Sequence, residues 1–82
     1  MISIEQCRAA RALLDWSAQR LADEARVGVA TVRRYESGAA IADASMLAIE
    51  KALRAAGITF VATGETSKGG GEGVRLSTTG LR

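Results

Sequence analysis

Apolar residues recur every three or four positions over the first 56 residues, a period typical of amphipathic helices. The pattern divides into four segments with short breaks between them. The residues predicted to face inward are Ile4, Cys7, Leu13, Leu14 and Trp16; Leu21, Ala22 and Ala25; Val32; and Met46, Ile49, Leu53 and Ala56. The chain is therefore predicted to form a mainly α-helical domain of four to five helices.

Capping residues predict where the first two helices begin. Ser3 and Gln6 have the spacing of a capping box, which places the start of the first helix near Ile4. Ser17 is the expected N-cap of the second helix, which we predict to run to about Arg26.

Glycines mark the ends of the other two helices. The stretch VGVATVRRYESG, residues 27–38, predicts a short third helix with Gly38 as its C-cap. Asp43 or Ser45 is expected to cap the fourth helix, and Gly57 to end it.

The period changes from 3.6 to 2 after the fourth helix. Apolar and polar residues alternate over 58–63 and again over 74–77, with the glycine-rich stretch SKGGGEG between them. This predicts a short C-terminal β-hairpin with a flexible loop and frayed last residues. We therefore divide the chain into a helical domain, residues 1–56, and a strand–loop–strand tail, residues 57–82, which is a candidate dimerisation element.

The third helix has an unusual outward face. With Val32 at the centre of the inner face, small side chains lie at the start of the outer face and cations one turn later. That face carries Ala30, Arg33, Arg34 and Ser37, with Val29 on its flank. A short helix held out by a preceding helix is the helix-turn-helix plan, in which the N-terminal end of the second helix enters the major groove of DNA. Small residues allow close approach there, and arginine can bind guanine O6 and N7.

The segment WSAQRLADEARVGVATVRRYESG, residues 16–38, resembles the helix-turn-helix of the Cro/CI-like (XRE) family of transcriptional regulators. The resemblance covers residues 3–56. Short members of the family include phage Cro-type repressors and the controller proteins of restriction-modification systems. It implies a lambda-repressor-like fold, usually a homodimer bound to an inverted-repeat operator in double-stranded DNA.

The residues expected to contact DNA lie on the second and third helices. They are Ser17, Gln19, Arg20, Val29, Ala30, Thr31, Arg33, Arg34 and Ser37. We assign base readout to Arg34 and a phosphate or neighbouring base to Arg33. Two positions depart from the family. Ala18 stands where glutamine is common as a phosphate contact, so either Gln19 or Arg20 is expected to replace it, or the backbone N–H groups alone make the contact. Arg26 stands where the turn usually has glycine, so we expect a slightly different turn.

Arg11 lies on the apolar stripe of the first helix, where an unpaired guanidinium would be costly. Glu36 lies on the inward flank of the third helix, and the family commonly pairs these two positions. We therefore expect a structural Arg11–Glu36 ion pair with no role in recognition. Cys7 is expected to be a small buried hydrophobe.

The composition narrows the function further. The 82 residues have a net charge of +2, no histidine and one cysteine, so we expect no disulfide, no metal site, no cofactor and no enzymatic activity. The N-terminal residues lack the apolar core of a signal peptide, and no apolar run reaches transmembrane length. These features indicate a cytoplasmic protein.

The favoured function is a sequence-specific regulator, acting as a repressor or autoregulator. RNA polymerase would be a partner if the protein activates transcription. One alternative is an antitoxin-type autoregulator, whose tail would wrap a toxin. The other is a protein-interaction adaptor on the same fold, for which an acidic or apolar outer face on the third helix would be expected.

Overall fold

The computed structural model describes residues 2–61 and 73–76. In this part of the chain four helices precede two strands. They are α1 (Ile4–Leu14), α2 (Ala18–Ala25), α3 (Val29–Glu36), α4 (Asp43–Ala55), β1 (Ile58–Val61) and β2 (Gly73–Leu76). The prediction of a mainly helical fold with a short terminal hairpin is confirmed.

The predicted starts of α1 and α2 are confirmed by their hydrogen bonds. Ser3 Oγ accepts from the backbone N–H of Gln6 at 3.1 Å, and Gln6 Oε1 accepts from the Ser3 N–H at 2.9 Å, which completes the capping box. Ser17 Oγ accepts from the N–H of Arg20 at 3.0 Å. These side chains bind backbone donors that have no partner within their helix.

Two other boundary predictions are wrong by one or more residues. The C-cap of α3 is Ser37, and Gly38 follows it with φ of 101°. The N-cap of α4 is Ala42, which forms no side-chain hydrogen bond, so neither Asp43 nor Ser45 caps the helix. Asp43 is instead the first residue of α4, where its negative charge interacts favourably with the partial positive charge at the N-terminal end of the helix. Gly57 has φ of 105° just after α4.

The buried hydrophobic residues come from every helix, from β1 and from Ile2, which precedes α1. They are Ile2, Cys7, Ala10, Leu21, Ala22, Ala25, Val32, Tyr35, Ile49, Leu53 and Ile58. The prediction that Leu13 faces inward is wrong, because 46% of its surface is exposed. It lies about 120° around α1 from Cys7, whereas Ala10 lies only about 60° away. The short side chain of Ala10 faces the core in its place.

The hairpin is antiparallel and packs on the helices. Ile58 pairs with Leu76 and Phe60 with Val74. Strand β2 contacts α1, and β1 contacts α4, where the Arg54 guanidinium lies 5.0 Å from the centre of the Phe60 ring. Gly73, predicted as the end of the loop, begins β2. Residues 62–72, which include the rest of that loop, and residues 77–82 lie outside the described part of the chain. The division at residue 57 stays a prediction.

Candidate nucleic-acid interface

The turn between α2 and α3 uses a left-handed residue that is not glycine. Arg26 has φ of 61° and ψ of 41°, and its N–H points to the carbonyls of Ala22 and Asp23. The next residue, Val27, donates to the Ala22 carbonyl at 3.0 Å. The prediction that the turn differs from that of the family because Arg26 replaces glycine is therefore wrong at this residue. Arg26 adopts the left-handed conformation, which glycine takes more easily.

The inner face of α3 is firmly attached to the core. Val32 is fully buried, and Tyr35 is nearly so. The Tyr35 hydroxyl donates to the backbone carbonyl of Ile2 at 2.7 Å. Burial, helped by nearby negative groups, raises the pKa of Tyr35 to about 12, so its hydroxyl stays a donor at neutral pH. The orientation of α3 about its axis is thus determined by packing.

An ion pair between α1 and α3 adds to this attachment. Arg11 Nε donates to Glu36 Oε2 at 2.9 Å, and Arg11 Nη2 donates to Glu36 Oε1 at 2.7 Å. A third donor, Nη1, binds the Trp16 carbonyl at 3.0 Å. The predicted Arg11–Glu36 pair is confirmed, and it has the two-bond geometry that makes arginine–carboxylate pairs strong.

The carboxylate of Glu36 also accepts from the thiol of Cys7, with an Sγ–Oε2 distance of 3.2 Å. Burial acts to raise the pKa of Glu36, but the hydrogen bonds from Arg11 and Cys7 outweigh it and leave that pKa below its usual value. Burial and the neighbouring carboxylate raise the pKa of Cys7 to about 12. Cys7 is therefore a buried neutral thiol, as predicted.

The outer face of α3 carries the predicted recognition residues. Ala30, Arg33, Arg34 and Ser37 are exposed, while Val29 and Thr31 are half-buried on the flanks. The guanidinium groups of Arg33 and Arg34 form no hydrogen bond or ion pair with any other residue that the structure describes. The Ser37 hydroxyl donates to the Arg34 carbonyl at 2.9 Å, which closes the end of the helix. Two unpaired guanidinium groups thus project from a helix whose opposite face is anchored.

The candidate residues on α2 are engaged within their own helix. Besides Ser17 at the N-cap, Gln19 Nε2 donates to Asp23 Oδ1 at 2.9 Å, and Arg20 Nε donates to Glu24 Oε2 at 2.8 Å. All of these side chains are exposed, on a helix that packs against α3.

One candidate was missed from the sequence. Arg26 lies in the turn that precedes α3, and its exposed guanidinium has no hydrogen-bonding or ionic partner among residues 2–61 and 73–76. The signal in the sequence is a cation in place of the usual glycine. Its charge adds to that of the outer face of α3.

The comparison with known families agrees with this geometry. The helix-turn-helix family model matches residues 8–60, more than half of the chain. The chain belongs to the Cro/CI-like (XRE) helix-turn-helix family. Its members are DNA-binding regulators, and the protein is a DNA-binding helix-turn-helix regulator. No curated protein matches the chain.

Metal ligands and membrane-spanning helices are two further features that bear on function. The described residues contain no group of three His, Cys, Asp or Glu side chains placed to hold a metal ion. None of the described helices has the length and apolar character needed to cross a bilayer.

Proposed function

We propose that this helix-turn-helix regulator binds a specific inverted-repeat operator as a homodimer and represses transcription there, including that of its own gene. The observation that carries the proposal is that Arg33 and Arg34 are both exposed and that their guanidinium groups have no partner among the described residues. The helix that carries them is anchored through Val32, Tyr35 and Glu36. Recognition of bases requires a rigidly held helix with free donors on its outer side.

The residues divide into two roles. Arg34 is the candidate for guanine, and Val29 and Ala30 are small enough to lie against a thymine methyl group. Arg33, Thr31 and Ser37 are the candidates for phosphate or neighbouring bases. The proposed phosphate contacts at the start of α2 are the N-cap Ser17 and the side chains of Gln19 and Arg20.

The N-terminal end of α2 favours a phosphate. Its first turn contains Arg20 and no acidic residue, so the partial positive charge of the helix end is not neutralised locally. Backbone N–H groups there, with Gln19 and Arg20, take the place of the side chain that Ala18 lacks.

The outer face of α4 is the proposed dimer interface. Leu47 is 56% exposed, and the neighbouring groove of about 330 Å³ between α2 and α4 is lined by Ala25, Ala48, Ala52 and Ala55. Glu24, Arg26 and Lys51 also line the groove. In a two-fold dimer, Leu47 of each copy would enter the groove of the other, because both copies then present the same surface.

Dimerisation matters for affinity and for the operator. One short recognition helix contacts only a few base pairs, whereas two related copies double the contacts and read half-sites about 34 Å apart. Binding at a promoter excludes RNA polymerase, which is the simplest route to repression, and such a protein works in the cytoplasm with the DNA.

The test is selection of double-stranded DNA from a random pool, followed by sequencing. We expect an inverted repeat to be enriched, with half-sites one helical turn apart. The Arg33→Ala/Arg34→Ala double variant, checked by circular dichroism for an intact fold, should enrich no motif. If the unaltered protein enriches no motif, sequence-specific binding is refuted and the adaptor function becomes the better explanation.

A further inference from the structure

Two carboxylates in the second half of α2 hold the polar side chains of its first half. Asp23 accepts from Gln19, and Glu24 accepts from Arg20. The Arg20 guanidinium also lies over the Trp16 ring, 5.0 Å from its centre. The side chains proposed to reach phosphate are thus already bound within the free protein.

The i,i+4 bonds of Asp23 and Glu24 contribute little to the stability of α2. Acidic residues stabilise the first turn of a helix and basic residues the last, and a carboxylate is best placed four residues before its cation. Helix α2 has no acid in its first turn and no base in its last, and Arg20 precedes Glu24. This order is the less stabilising of the two for an ion pair.

We propose that Asp23 and Glu24 act as a brake on non-specific DNA binding, an inference that rests on the proposed function. Glu24 occupies the Nε donor of Arg20 and, together with Trp16, limits the guanidinium to one orientation. A guanidinium held in this way meets phosphate in one register of the DNA, the register set by the base contacts of α3. Glu24 is therefore a positioning residue that determines specificity.

Non-specific DNA lacks those base contacts and binds through phosphates alone. The negative charge of Glu24 opposes phosphate, and the fixed orientation of Arg20 prevents it from adapting to other registers. Non-specific complexes consequently lose more from this arrangement than the specific complex does.

The chain contains a matched control pair on another helix. On α4, Arg54 Nε donates to Glu50 Oε2 at 2.9 Å, and the Arg54 guanidinium lies over Phe60 at 5.0 Å. This is the same combination of arginine, carboxylate and aromatic ring, but it lies against β1. Glu50→Gln changes the net charge by the same amount as Glu24→Gln.

The experiment measures the dissociation constant of the full chain for two duplexes over a range of salt concentrations. One duplex is a site selected from the random pool, and the other is a scrambled duplex of equal length. We expect Glu24→Gln to bind the scrambled duplex about two- to fivefold more tightly, with a steeper salt dependence. Its affinity for the selected site should rise less, so the ratio of the two affinities falls. Asp23→Asn should act in the same direction.

Glu50→Gln should leave the ratio unchanged. Equal effects of Glu24→Gln and Glu50→Gln would overturn the proposal, because net charge alone would then explain them. An unchanged ratio in Glu24→Gln would overturn it as well. If the unaltered protein binds both duplexes equally, the proposed function itself fails, and that result is distinguishable from failure of the brake.

Discussion

Arg11 on α1 binds both carboxylate oxygens of Glu36 on α3, through Nε at 2.9 Å and Nη2 at 2.7 Å. The pair is largely buried, with 21% of the Arg11 side chain and 11% of the Glu36 side chain exposed. It joins α1 to α3 on the side opposite the outer face of α3. Its contribution is therefore to the stability and orientation of α3.

Glu36→Ala should lower the free energy of unfolding by about 2–3 kcal/mol, because it leaves Arg11 partly buried without a charge partner. Thermal and urea melts of both single variants and of Arg11→Ala/Glu36→Ala would measure the coupling. We expect the double variant to be more stable than the sum of the single losses predicts. Strict additivity would show that the pair contributes nothing.

The thiol of Cys7 should resist alkylation in the folded protein. Its pKa of about 12 leaves almost no reactive thiolate at pH 8, and the side chain is fully buried. Iodoacetamide should label this single cysteine slowly in buffer and quickly in urea. Equal labelling rates in both would contradict the assignment of Cys7 as a buried neutral thiol.

The same raised pKa predicts a dependence on alkaline pH. The pKa of Cys7 is higher in the folded state than the ordinary 9.0. The contribution of the neutral thiol to the free energy of unfolding is therefore complete below about pH 9 and is lost as pH rises towards 12. Cys7→Ser, which does not titrate there, should lose less stability between pH 8 and pH 10.5.

Arg26→Gly should stabilise the fold by about 0.5–1 kcal/mol, because glycine adopts the left-handed conformation without the Cβ contact that arginine has. Melting temperature is the measurement. Arg26→Ala is the control, since it removes the charge but keeps the Cβ and should not stabilise. A higher melting temperature for Arg26→Ala than for Arg26→Gly would show that the side-chain charge, not the backbone, limits stability.

Arg34→Ala should cost about 1–3 kcal/mol in binding to the selected site and relax the preference at one base position. Arg33→Ala should weaken binding to all sequences and reduce the salt dependence. Binding isotherms on selected and scrambled duplexes separate the two effects. An unchanged affinity and an unchanged selected motif in Arg34→Ala would remove its assignment to base readout.

Leu47→Glu should dissociate the proposed dimer, because it places a charge in the apolar groove of the other copy. Sedimentation at micromolar protein measures the change. Leu13→Glu is the matched control, since Leu13 is a similarly exposed leucine, at 46%, on α1 rather than α4. Leu13→Glu should remain a dimer, and a monomeric unaltered protein would exclude this interface.

The order of the elements and the inner face of α3 were predictable from the sequence, because helical periodicity and caps depend on residues within a few positions of one another. The capping box at Ser3, the Ser17 cap and the buried position of Val32 are all of this local kind. The exposure of Arg33 and Arg34 follows from the same periodicity.

Other features were decided only when the helices packed. Ala10 rather than Leu13 is buried because of the way α1 packs against the other elements. The left-handed conformation of Arg26 depends on the angle that packing requires between α2 and α3. The hydrogen bonds from Gln19 to Asp23 and from Arg20 to Glu24 depend on the side-chain rotamers, which the hydrophobic pattern does not specify. Such choices differ by little free energy locally, so long-range contacts and side-chain geometry determine them.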